Sequence, residues 1–245
     1  MADCAVGALH GVAKKADLTA VQLDDMDDPR VHLAMFARHI NALDFIINDI
    51  QRKGIAGKAV VIMSWSLSGP MAAAGTNYLR DDFFRRLTIL VQLGVGLVTG
   101  PVNGRKNGGD VPGIFADPNS AQYLPSLMFV QSGDINDGAF VFPEDQRDNF
   151  ATTFAPGRDK ALDPSKPGEY LGLFCVGPTG DDRSEARGGN SMAAAFTGGL
   201  MAYFMGRGQT ASQARQTIID YSYSRKTDGP QMSWNGISIS DGKAG

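Results

Sequence analysis

Short apolar, β-branched runs alternate along this chain with longer stretches of helical periodicity, and that alternation constrains the fold more than any other feature. Lys58 to Ser64 (KAVVIMS) and Gly94 to Thr99 (GVGLVT) are apolar and of strand length, the pattern of strands covered on both faces. From Arg30 to Lys53 apolar residues recur at Val31, Met35, Leu43, Ile46 and Ile50, and Gly54 and Gly57 end the stretch. Asn77 to Leu93 sets Phe83, Leu87, Leu90 and Val91 on one side. Both read as amphipathic helices. Asp17 to Leu23 (DLTAVQL) reads as a further short strand. The acidic run Asp24, Asp25, Asp27, Asp28 with Pro29 reads as a helix start, its carboxylates at the positive end of the dipole. A Gly- and Pro-rich middle follows from Gly100 to about Gly168, where Leu127 to Val130 is a strand, and Glu169 to Val176 is another at its end. Met192 to Met205 and Ala211 to Ser222 read as closing helices. The order predicts an α/β fold, a doubly wound parallel sheet with helices on both faces. With no repeat or linker in view, residues 1–245 read as a single domain.

Composition excludes several functions. The chain has 23 Lys and Arg against 26 Asp and Glu, a net charge of −3, which argues against a dedicated nucleic-acid binder. No window approaches 18 uninterrupted apolar residues, so no membrane span is expected. Two cysteines, Cys4 and Cys175, make no disulfide framework and sit in no zinc-binding cluster. They could pair. The first residues, MADCAVGALHGVAKKADL, do not read as a secretory signal, which leaves the compartment open.

Candidate chemistry is sparse. His32 and His39 lie seven apart on one predicted helix with no third ligand in view, so they are read as core or boundary residues and no metal site is expected. The acidic run lacks the spaced ligands and glycine of a calcium loop. Gly94, Gly96 and Gly100 fall before, inside and just after a strand rather than between a strand and a helix, which excludes a dinucleotide loop. The informative stretch is Gly188-Gly189-Asn190-Ser191-Met192-Ala193-Ala194-Ala195. One reading is a serine capping an apolar helix. The other is a nucleophile at a helix N-terminus, where backbone N–H groups and the dipole favour a developing oxyanion. The second glycine of a G-x-S-x-G elbow is missing, so an α/β-hydrolase is not indicated.

The stretch GGNSMAAAFTGGLMAYFM resembles the serine motif of the subtilisin-like serine peptidases, G-T-S-M-A-x-P followed by a helix. Other segments agree in order. Gly11 to Leu23 is similar to the strand entry after that family's histidine helix. Ser66-Leu67-Ser68-Gly69-Pro70 resembles its S-L-G-G-P substrate strand, and Gly94 to Asn103 its G-V-x-x-x-x-A-A-G-N segment. Phe154-Ala155-Pro156-Gly157 also fits, and Tyr223-Ser224-Arg225 resembles a fungal branch. The resemblance implies a serine endopeptidase domain of subtilisin-like fold with no cofactor. It casts Ser191 as nucleophile and Asn103 as side-chain oxyanion donor. It has Ser66, Leu67, Ser68 and Gly69 pairing with an extended peptide, and Gly100, Pro101 and Val102 lining the primary specificity pocket.

The departures carry as much meaning. Asn190 stands where Thr is usual and Ala195 where Pro is usual, and Pro101 and Val102 replace a small pair. The added bulk of Val102 predicts a shallower pocket. The family's histidine motif, H-G-T-x-V-A, would fall just before Met1, and its D-T-G motif further upstream. The expectation is therefore a relative lacking its N-terminal part, with the catalytic Asp and His absent from these residues. Its partners would be a peptide or protein substrate and a missing N-terminal segment or a pro-segment, with no nucleic acid and no membrane. The family is usually secreted. The alternative is an inactive pseudo-peptidase acting as a peptide- or protein-binding module.

Overall fold

The computed structural model describes residues 1–8, 10–23, 32–67, 77–101, 110–134, 150–158, 173–176 and 184–233. A short helix, α1 (Ala2–Val6), comes first, then α2 (His32–Lys53), β1 (Val60–Met63), α3 (Asn77–Gln92) and β2 (Gly96–Thr99). A single turn of 3-10 helix at Gly113–Ala116 precedes β3 (Leu127–Asp134), β4 (Thr153–Arg158), β5 (Leu173–Val176) and β6 (Ser184–Arg187). The chain then forms α4 (Asn190–Gly206), α5 (Ala211–Tyr221), β7 (Tyr223–Ser224) and β8 (Gln231–Met232).

Six strands form one sheet in the order β1-β2-β3-β4-β8-β7, while β5 and β6 pair separately and antiparallel. Every neighbour from β1 to β8 is parallel, and β7 alone runs antiparallel, against β8. The α/β architecture with helices on both faces is as expected, with a mixed rather than purely parallel sheet. The alternation of strand side chains divides the interior in two. Leu97, Leu127 and Phe129 face a core built with Phe36, Ile40 and Leu43 of α2 and Phe83, Leu87 and Leu90 of α3. Val98, Met128 and Val130 face the opposite way, onto Ala193, Ala194, Leu200 and Met201 of α4. Arg86 of α3 ties the first layer together by donating from Nε and Nη2 to the two carboxylate oxygens of Asp44 on α2, each at 3.0 Å.

Helix α4 lies across β1 to β4 and is covered in turn by α1 and α5. That placement explains why it is apolar on nearly every side. Helix α5 starts at a reciprocal cap, in which the Gln213 N–H donates to Thr210 Oγ1 at 3.2 Å and the Thr210 N–H to Gln213 Oε1 at 2.9 Å. No described helix is long and apolar enough to cross a membrane.

Three expectations need correction. Residues 17–23 form no strand, and Leu18 is 55% exposed; the segment has the alternation of a strand but no neighbour bonded to it among the described residues. Strand β4 went unread because Pro156 and Gly157 interrupt its pattern. The sheet absorbs them with a register shift between Gly133 and Asp134 of β3, just after the Gly133–Pro156 pair. Strand β3 runs on to Asp134, four residues past the apolar run that signalled it. The acidic run 24–29 lies outside the described residues.

Candidate active site

Ser191 is the second residue of α4, two residues past Gly189, where a capping serine would sit. The N-cap is Gly189, at φ 107°, where a side chain would be strained and no side-chain cap is made. The capping reading of Ser191 is thus corrected. Its hydroxyl instead donates to the carbonyl of Ser64 at 3.1 Å, just beyond β1, and the Ser64 hydroxyl donates back to the Ser191 carbonyl at 3.3 Å. Met192 and Ala193 turn their N–H groups to the Gly189 carbonyl at 3.0 and 3.2 Å. The Ser191 N–H has no partner among the described residues, so it points a free donor from the positive end of α4.

This serine sits at the C-terminal ends of parallel strands, where open α/β sheets place their ligand crevices. Gly100, just after β2, lies so near the turn that a Cβ there would be 2.8 Å from the Val130 carbonyl oxygen and 3.2 Å from that of Asn190. Glycine is the residue that permits this approach. Pro101 is half-buried beside it. Leu67 is buried and forms an antiparallel bridge with Val111, its N–H donating at 2.8 Å and its carbonyl accepting at 3.3 Å. Because both Leu67 groups turn toward Val111, the backbone of Ser66 faces the other side. Of the residues expected at the site, Ser191, Ser66, Leu67, Gly100 and Pro101 are therefore described. Asn103, Ser68, Gly69 and Val102 lie outside the described residues.

His39 is buried and belongs to the core, as its position on the apolar stripe suggested. Its Nδ1 bonds the Met35 carbonyl at 2.7 Å, and its ring meets Trp65 edge-on at 4.2 Å. Burial pushes its pKa below the usual imidazole value, against a smaller raising effect of the Met35 carbonyl. The side chain of His32 is not among the described ones. No cluster of three or more His, Cys, Asp or Glu suited to a metal occurs among the described residues.

Sequence reasoning missed the ties that hold the nucleophile turn. Asn190 is 1% exposed, and its Oδ1 accepts from the Ser132 N–H of β3 at 2.8 Å. The Gly189 N–H donates to the Gly157 carbonyl of β4 at 3.0 Å. Asn190 was visible as a departure from the family motif, and Ser64 as the first of three alternating serines in SWSLS. Their partners are 58 and 127 residues away, which no local pattern reveals. Cys4 is disulfide-bonded, and the chain's other cysteine is Cys175, on β5. The Cys4 sulfur rests 3.7 Å from that of Met192, so α1 is seated on the first turn of α4.

No family model matches the chain. Among curated proteins it is similar to Subtilisin-like serine protease Pen ch 13 of Penicillium rubens, 26% identical over 97% of this chain and 51% of that protein. Subtilisin-like protease 7 of Arthroderma gypseum is 29% identical over 83% of this chain and 41% of its own. Subtilisin-like serine protease Pen c 1 of Penicillium citrinum is 25% identical over 97% and 52%. The chain spans about half the length of the curated relatives it matches. Their shared name, the near-complete coverage of this chain and the mostly parallel sheet agree: the chain is a distant relative of the subtilisin-like serine proteases.

Proposed function

We propose that this chain carries the nucleophile side of a subtilisin-like serine endopeptidase centre, with Ser191 as the attacking group. The observation that supports it most is the Ser191 N–H on the first turn of α4, which has no partner among the described residues and stands beside the Ser191 hydroxyl at the ends of β1 and β2. A tetrahedral intermediate formed on Ser191 would place its oxyanion at that N–H, with Asn103 as the second donor, and such donors act most where charge develops. An extended peptide would add along the Ser66 to Gly69 segment on the side away from Val111, held by the main-chain groups that Leu67 does not already spend on Val111. Its first side chain would enter a pocket lined by Gly100, Pro101 and Val102.

Among the described residues no imidazole or carboxylate bonds the Ser191 hydroxyl. A serine hydroxyl attacks efficiently when a neighbouring imidazole takes its proton and a carboxylate orients that imidazole. Here the proton points to the Ser64 carbonyl, which has no useful basicity. His39 is held in the core by Met35 and Trp65. In subtilisin itself, loss of the serine or the histidine lowers turnover by roughly 10⁶. The 245 residues alone are therefore expected to hydrolyse peptides very inefficiently.

The test is a fluorophosphonate probe together with a chromogenic peptide on the purified chain. The expected result is slow phosphonylation confined to Ser191, lost in Ser191→Ala, with no measurable peptide turnover. Absence of label at Ser191 would remove the nucleophile reading and favour a peptide-binding module using the same Ser66 edge. Robust turnover that depends on Ser191 would refute the missing base.

A further inference from the structure

The start of α4 has no side-chain cap and follows a glycine at φ 107°. Something else must set where Ser191 stands. Four bonds do so, reaching three different strand ends. The Gly189 N–H reaches the Gly157 carbonyl of β4, the Ser191 hydroxyl reaches the Ser64 carbonyl after β1, and Asn190 Oδ1 takes the Ser132 N–H of β3. The Ser64 hydroxyl also donates to the Ser191 carbonyl, so among the turn's own side chains Asn190 alone, apart from the nucleophile, makes such a bond.

The sheet explains why that bond is available. Strand β2 pairs with β3 as far as Thr99 and Phe129, then stops, while β3 continues to Asp134 beside β4. The Ser132 N–H is buried where β2 no longer reaches, and a buried donor left alone is costly. The Asn190 side chain supplies the acceptor that the absent strand residue would have supplied. Serine or threonine carries its oxygen one bond from Cβ, whereas Asn carries Oδ1 two bonds out, which gives it this reach. The Asn190 carbonyl also lies against Gly100, so the same residue touches the wall on which the specificity pocket is proposed.

We propose that Asn190 is a positioning residue for Ser191: its side-chain bond to the Ser132 N–H fixes the first turn of α4 against the end of β3 and so sets the nucleophile's place in the crevice. This rests on Ser191 being the nucleophile, and the experiment separates the two ideas. Asn190→Leu keeps the shape and removes the acceptor, and Asn190→Asp restores an acceptor at the same place. Amide hydrogen exchange is followed by NMR at Ser132, Met192 and Ala193, and fluorophosphonate labelling at Ser191 is timed in parallel.

In Asn190→Leu, exchange at Ser132 should speed up at least about tenfold, with Met192 and Ala193 following and labelling slowing by a similar factor. Asn190→Asp should recover most of both effects. Unchanged exchange in Asn190→Leu, or equal behaviour of the Leu and Asp variants, would overturn the proposal. Changed exchange with unchanged labelling would reduce Asn190 to a structural role and overturn it as well. If the unmodified chain is never labelled, the nucleophile reading fails and exchange alone judges the clamp. If Asn190→Leu does not fold, the unmodified chain decides, since fast exchange at its Ser132 amide would contradict the bond and a protected amide supports it.

Discussion

Two glycines of α4 respond in opposite directions to the same substitution. Gly→Ala inside a helix gains about 0.8–1.0 kcal/mol in intrinsic propensity. At Gly206 nothing lies within 4 Å of the Cβ position, so Gly206→Ala should stabilise, by up to about 0.5–1 kcal/mol given its place at the helix end. At Gly199 the new Cβ would stand 2.5 Å from the Ala5 carbonyl oxygen and 3.0 Å from the Ala5 Cα. These are backbone atoms, and α1 is held by the Cys4 disulfide and by the Ala13 N–H on that same Ala5 carbonyl at 2.9 Å, so they cannot swing aside as a side-chain end would. Overpacking of this kind costs about 1–3 kcal/mol, and a rigid backbone neighbour places it near the upper end. Subtracting the propensity gain leaves Gly199→Ala destabilised by about 2 kcal/mol. For a domain of this size that corresponds to roughly 4–8 °C in Tm. Urea denaturation of both variants beside the unmodified chain, fitted with a common slope, reads the difference. Equal stabilisation of the two variants would refute the reasoning, because it would mean that α1 does not pack on α4 at Ala5.

Other perturbations test other parts of the structure. Reducing the Cys4 disulfide should lower the unfolding free energy by about 2–5 kcal/mol on the chain-entropy view of so long a loop, and the denaturation midpoint with it. Thiol titration beside urea melts checks it, and a reactive Cys4 before reduction would contradict it. Thr210→Ala removes one half of the α5 cap and should cost about 1 kcal/mol, seen as a shift in urea midpoint with unchanged slope. His39 has a folded pKa below its unfolded one, so the unfolded chain binds the proton first as pH falls. Stability should therefore decline as pH drops below about 6.5, and less steeply in His39→Phe; identical pH profiles for the two proteins would refute the assignment.

Much of this fold was readable in the residues. The periodicity of α2 and α3 and the β-branched runs of β1 and β2 are local properties, set by which side chains must leave water within one element. The serine stretch was legible for the same reason: small residues followed by an apolar helix mark one chain segment whatever it packs on. Residues 17–23 and strand β4 show the limit. The first has a strand's pattern without a bonded neighbour among the described residues, and the second has a neighbour despite Pro156 and Gly157. Pairing is decided by backbone groups on another segment, so neither outcome is written in the segment itself.

The sequence alone determined that this chain forms an α/β sheet with helices on two sides, because alternating runs of period 2 and 3.6 can bury their apolar faces together in few other ways. It also determined that Ser191 would open a helix. The tertiary structure decided what surrounds that serine. Ser64, Ser132 and Gly157 lie at or just past the ends of three strands, 127, 58 and 32 residues from the groups they meet, and they converge because parallel strands all end at one edge of the sheet. A hydrogen bond depends on distance in space, and chain separations of that length carry no trace of it until the sheet has formed.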